Sequence, residues 1–338
     1  MIGTTQLINT FSGITPSDHF KTKLYTGNGS TQNITGLAFA PDIVWIKARS
    51  VGYTHSLQDT LRGPGTSTSL YPDLNSAQGT YGGYGQISAF GTGGFTVASG
   101  GHGTYPVAQV NQNGVTYASW NWKAGGTAVT NNEGAVTSQV SANTAAGFSI
   151  VGGSGNTYFG GSLGHGLNQS PELIIYKDLA NANNWYVYHK DLTTPNTYYL
   201  HLDLDNAQAD YSSVSNLWDV TSTTFSTSLN LTRIGIAYCW HSVSGFSKIG
   251  SYSGSGASGK EIALGFSPSF VMIKRINAAA GWVIVDNQRG SKELYPHVAN
   301  AEDTSTTNIV LGTNKFTLNS TGSWYNASGG TYLYMAIA

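Results

Sequence analysis

The chain has 338 residues, with 16 Lys and Arg against 17 Asp and Glu and a formal net charge of −1. Charged residues make up 10% of it, while 40% is hydrophobic and 12% aromatic; an ordinary soluble domain is roughly 25% charged. This balance excludes the basic footprint of a nucleic-acid binder and the charge-rich, aromatic-poor profile of a disordered chain.

Residues 1–17 have no counterpart elsewhere in the chain, and an N-terminal arm is expected there. Met1-Ile-Gly-Thr-Thr-Gln6 lacks the basic and apolar regions of a signal peptide. Synthesis in the cytoplasm without a leader is therefore expected. No run of 18 apolar residues occurs, so no helical membrane span is expected.

From residue 18 onward one unit recurs three times. The clearest copies are Phe39-Ala-Pro-Asp-Ile-Val-Trp-Ile-Lys47, Ser170-Pro-Glu-Leu-Ile-Ile-Tyr-Lys177 and Phe266-Ser-Pro-Ser-Phe-Val-Met-Ile-Lys274. Proline is tolerated at a strand start, and the apolar run after it reads as a strand covered on both faces. Other anchors keep the same order: Leu70 to Asp73, Leu200 to Asp203 and Leu294 to His297; then Phe95, Phe225 and Phe316. Each copy ends in an aromatic-rich strand, Tyr117 to Trp122, Ala237 to Trp240 and Tyr332 to Ala338. The units run over 18–124, 147–241 and 245–338. Residues 125–146 are rich in Gly, Thr, Asn and Ala and form a linker, as loop or edge strand. Many short strands between Gly, Asn, Ser and Pro turns, without helical periodicity, predict an all-β chain. Three tandem antiparallel β-sandwich repeats, jelly-roll or concanavalin-like, are expected, each with a core supplied by its repeated Trp and Tyr.

Tyr25-Thr-Gly-Asn-Gly29, the Pro41-led strand, Asp59-x-x-Arg-Gly63, Gly94-Phe-Thr-Val97 and Tyr117-x-x-Trp-x-Trp-Lys-Ala-Gly125 together resemble a domain family of tailed-bacteriophage virion proteins. The resemblance covers residues 20–338. It implies a concanavalin-like sandwich in a tail-fibre, tail or decoration protein, and it transfers no catalytic residues. The middle unit departs from the pattern, with His189-Lys-Asp-Leu192 where the others carry Asp-x-x-Arg.

Chemistry-bearing motifs are sparse. Gly254-Ser-Gly-Ala-Ser-Gly-Lys-Glu261 approaches a phosphate loop, but Glu261 replaces the Mg²⁺-binding hydroxyl and no helix follows, so a turn is expected. Asp59 with Arg62, and Asp286 with Arg289, are expected to be structural turn pairs. The carboxylates open to a glycan hydrolase are Asp203, Asp205 and Asp210, or Glu302 and Asp303. Asp203 and Asp205 are expected on the solvent face of one strand. Eight scattered histidines show no metal-ligand spacing. Cys239 is the only cysteine, which rules out an intrachain disulfide, and a small buried hydrophobe is expected.

No catalytic residue, metal or cofactor is therefore expected. The candidate ligand-binding residues are loop aromatics: Tyr81, Tyr84, His102 and Tyr105 in the first unit, Trp324 and Tyr325 in the third. Sugar rings stack on such side chains. The leading expectation is a virion adhesin that binds a host surface glycan or receptor. The alternative is a capsid or tail decoration protein, and a glycan depolymerase is the third. The expected partners are other virion proteins and further copies of this chain, as a trimer, with no nucleic acid.

Overall fold

The computed structural model describes residues 13–152, 160–213, 216–229 and 234–338. The expected arm lies outside these residues up to 12, as does most of the Gly-rich opening turn of the second unit. The fold is all-β, with several antiparallel sheets and, as its only helical elements among the described residues, three 3-10 turns.

Three large sheets share one strand order: opening strand, closing strand, proline-led strand, next strand. In the first segment these are Phe20–Thr26, Thr116–Trp122, Ile43–Ala48 and Ser56–Asp59. In the second they are Phe148–Gly152, Gly235–Trp240, Leu173–Asp178 and Tyr186–His189, and in the third Ser247–Ser253, Thr331–Ile337, Phe270–Arg275 and Val283–Asp286. The register matches as well: Trp45 pairs with Trp120, Ile175 with Tyr238, and Met272 with Met335. Each large sheet is accompanied by a three-stranded sheet, centred on Gly94–Ala98, Thr224–Thr227 or Lys315–Leu318.

The expected linker over 125–146 is mostly sheet. Ser138–Asn143 pairs with Phe148–Gly152, and Val129–Asn131 adds an outer edge strand. The second large sheet thereby reaches eight strands.

Strand alternation assigns every apolar side chain to one of two layers. On the proline-led strands Val44 and Ile46, Ile174 and Tyr176, and Val271 and Ile273 point into three separate local cores. Phe95, Phe225 and Phe316 enter the same three cores from the small sheets. The opposite faces supply Ile43, Trp45, Leu173, Ile175, Phe270 and Met272 to a single common core. Trp120, Trp122, Tyr238, Trp240, Met335 and Ile337 join it from the closing strands. Each segment thus has a local core, and beside the three lies a common one, filled by Trp45, Trp120, Trp122 and Trp240, that the sequence-based expectation did not include. The proline-led strands are apolar on both faces because each lies between a local core and a shared one. Burying one such aromatic removes roughly 150–250 Å² from water, about 4–6 kcal/mol as an upper estimate.

Polar contacts close the segments into a ring. Gln78 N–H donates to Leu179 O, Gln208 N–H to Ile276 O, and Glu302 N–H to Arg49 O, at 3.1, 2.9 and 2.8 Å. These are aligned positions in the three segments, so one bond recurs at each joint. The repeated lysines obey the same rule in the reverse sense. Lys47 Nζ donates to Ala299 O at 3.0 Å, Lys177 Nζ to Asn75 O at 3.1 Å, and Lys274 Nζ to Asp205 O at 3.0 Å. All three side chains are fully buried. Lys177 also donates to the carbonyls of Asp178 and Asn183 at 2.9 and 2.7 Å, so its three close acceptors match the three N–H groups of an ammonium. Burial pulls these lysines down to about 8, 8 and 7. The indole Nε1 of Trp185 donates to Tyr71 O and that of Trp282 to His201 O, at 2.9 and 2.8 Å. At the third joint His55 takes the indole's place. Its Nδ1 accepts from Trp45 Nε1 at 2.9 Å, which leaves Nε2–H to donate to Tyr295 O at 3.1 Å.

A shared core predicts shared unfolding. Tryptophan fluorescence and circular dichroism should report one coincident urea transition for the full chain. Residues 18–124 produced alone should show no cooperative transition, since Trp45, Trp120 and Trp122 lose their cover; independent folding of that fragment would contradict the common core.

Candidate functional site

Four of the six candidate aromatics converge. Tyr84 stacks on His102 with ring centroids 4.2 Å apart, and Tyr105 lies 5.9 Å beyond His102 at a similar tilt. Tyr81 meets Tyr84 at 6.2 Å and the buried Tyr71 edge-on at 5.3 Å. Glycine makes this approach possible. A Cβ on Gly100 would lie 2.3 Å from the carbonyl oxygens of Gly82 and Gly83, and one on Gly82 would lie 2.0 Å from Thr66 O. His102 N–H donates to Gly83 O at 2.9 Å, and Tyr81 N–H donates to Tyr71 Oη at 2.8 Å. His102 Nδ1 in turn accepts from Tyr105 N–H at 3.0 Å.

Tyr81, Tyr84 and Tyr105 wall an open hollow of about 290 Å³, completed by Tyr53 and Gln109. Tyr105 remains 51% exposed. Gln109 is buried, its N–H donates to Tyr84 O at 3.0 Å, and its Oε1 has no hydrogen-bond partner. Tyr53 and Gln109 were missed by sequence reasoning. The signal for Gln109 is alignment: Asn111 and Asn326 occupy matching buried positions, which places Gln109 opposite Trp324. The hollow offers flat aromatic faces, with Thr54 and the buried Gln109 in its lining. Those groups suit a neutral, hydroxyl-bearing ring.

The other two candidates separate. Tyr325 turns inward, where its hydroxyl donates to Glu293 Oε2 at 2.6 Å. Trp324 lines a second opening of about 580 Å³ between the second and third segments, together with Asp203, Asp205, Tyr295, His297 and Asp303. The strand placement of the carboxylates needs correction. Tyr198–His201 ends before Asp203, so Asp203 and Asp205 lie in the following loop. Asp203 is buried, and its Oδ1 accepts Trp185 N–H at 3.0 Å. Desolvation nevertheless raises its pKa to about 6. Glu302 is taken up by Arg49 and Arg289 at 2.9 and 3.1 Å. That engagement keeps its carboxyl below the usual range.

The Asp/Arg turns are buried ion pairs that also bind across joints. Arg62 Nε donates to Asp59 Oδ2 at 2.8 Å and Arg289 Nε to Asp286 Oδ2 at 2.7 Å. Asp59 also accepts Tyr238 Oη at 2.7 Å, and Asp286 accepts Trp120 Nε1 at 3.0 Å. At the third joint the aligned residues are His189 and Met335, so where the acid is missing the facing donor is missing too. Residues 254–259 form the turn between Ser247–Ser253 and Lys260–Ala263. Cys239 is buried, and desolvation pushes its thiol well up. Among the described residues no group of three or more His, Cys, Asp or Glu is placed to hold a metal.

The chain belongs to a family described as a domain of unknown function (DUF7483), whose model matches residues 15–338. No curated protein and no solved structure matches it.

Two predictions follow from this geometry. Asp59→Asn should destabilise the fold by roughly 3–5 kcal/mol, because the buried Arg62 is left without a carboxylate; urea midpoints measure it. Asp203 binds its proton more tightly folded than unfolded, so its contribution is full below about pH 4 and is lost as pH rises through about 6. The midpoint of the native chain minus that of Asp203→Asn should therefore fall between pH 4 and pH 7.

Proposed function

We propose that this chain is a non-enzymatic bacteriophage virion protein, a tail-fibre or tail-associated adhesin that binds a neutral glycan of the host surface. In this reading three copies of one sandwich unit form the scaffold, and the loops carry recognition. The observation that carries the binding role is the hollow walled by Tyr53, Tyr81, Tyr84 and Tyr105. Rigid tyrosines give large contact area at low entropy cost, and their hydroxyls give directional bonds. The motif resemblance described above supports the virion setting.

A second reading is a decoration protein on capsid or tail. The edge strand Val129–Asn131 favours it, with Val129 64% exposed on the rim of the eight-stranded sheet. Such an edge is a template for pairing with another chain.

A glycan array separates these readings. The adhesin reading expects a defined set of neutral glycans to bind, and Tyr84→Ala to weaken them at least tenfold with unfolding unchanged. Silence across the array, or binding indifferent to Tyr84→Ala, overturns the site. Particle density on a regular head lattice would support decoration instead.

A further inference from the structure

The opening between the second and third segments is a different kind of site. Its walls carry Asp203, Asp205 and Asp303, and no lysine or arginine lines it. Lys274 is fully buried and holds the backbone oxygen of Asp205, whose side chain stays exposed. Asp303 is fixed from behind: Ser305 N–H donates to its Oδ1 at 2.8 Å and Tyr295 Oη to its Oδ2 at 3.3 Å. Trp324, Tyr295 and His297 line the same opening as the carboxylates. Trp324 meets Tyr295 edge-on at 5.7 Å and His297 at 5.8 Å. His297 supplies an independent sign of a ligand. It lines the opening at 9% exposure, and its Nδ1 has no hydrogen-bond partner. Burial and the charge of Lys274 keep its ring neutral, with a pKa lowered to about 4.

We infer that this cleft binds a glycan bearing a free, protonated amine, an unacetylated amino sugar. The ammonium lies between the carboxylates of Asp205 and Asp303, where Coulomb attraction is strongest. The cationic end of the sugar meets the face of Trp324, which attracts a cation as well as an apolar ring. His297 lies beside the ring hydroxyls of the sugar. The volume of about 580 Å³ accommodates more than one sugar residue. Uronic and sialic acids are repelled by the same carboxylates. This site shares no lining residue with the hollow at Tyr84, so it stands or falls separately from the neutral-glycan reading.

The test is isothermal titration calorimetry of the full chain at pH 6 with a β-linked glucosamine tetramer and its N-acetylated counterpart. The glucosamine tetramer should bind at least tenfold more tightly, and raised salt should weaken it. Asp205→Asn, a change to an exposed side chain, should cost about tenfold, and Trp324→Ala should weaken binding as well. Tyr84→Ala should leave it unchanged. Equal affinity for the two tetramers, no binding of either by a chain with native circular dichroism, or binding indifferent to Asp205→Asn each overturns the proposal.

Discussion

The structure depends on one apolar centre that no segment can close alone. Trp45, Trp120, Trp122, Tyr238, Trp240, Phe270 and Met335 come from three parts of the chain and bury one another. A unit of about 100 residues has enough surface for a sandwich core of its own. Here each segment has such a core and then spends its second sheet face on its neighbours. Every other joint contact, from backbone bonds to buried lysines, is positioned by that meeting of faces.

The buried lysines show how the polar side of this arrangement works. A charged amine in an apolar interior is costly unless it is fully bonded. Lys177 meets this demand in full and Lys47 and Lys274 with two carbonyls each, drawn in every case from their own segment and the preceding one in the ring. A lysine in that position therefore rejects any joint that fails to present its carbonyl. Such a contact selects the arrangement more than it stabilises it. The Asp/Arg turns do similar work, since Asp59 and Asp286 are complete only when Tyr238 or Trp120 arrives from the adjoining segment.

Much of this was written locally in the sequence and some was not. The proline-led strands, the closing aromatic strands and the buried Asp/Arg turns are short-range patterns, and they appear where their spacing places them. The common core was not legible. An apolar run on both strand faces reports double burial without naming what covers each face. The carboxylates were misjudged for a related reason: alternation from Leu202 to Asp205 looks like a strand, but pairing stops at His201. Tyr81, Tyr84, His102 and Tyr105 were found by composition of glycine-rich loops, and backbone approaches that only glycine allows bring them together. Gln109 and Tyr53 carried no local signal because each matters only through its neighbours in space.

The joint at His189 and Met335 has one more implication. An assembly of three identical chains must accept every substitution at three places at once, so a changed acid and a changed donor would have to suit all joints together. Three segments on a single chain are free of that demand. The third joint has neither acid nor donor while the other two have both, and the loops differ as freely, one holding tyrosines and another holding carboxylates and a tryptophan. Covalent linkage thus turns a repetitive ring into a body whose faces can drift apart, each at a fixed distance and angle from the next.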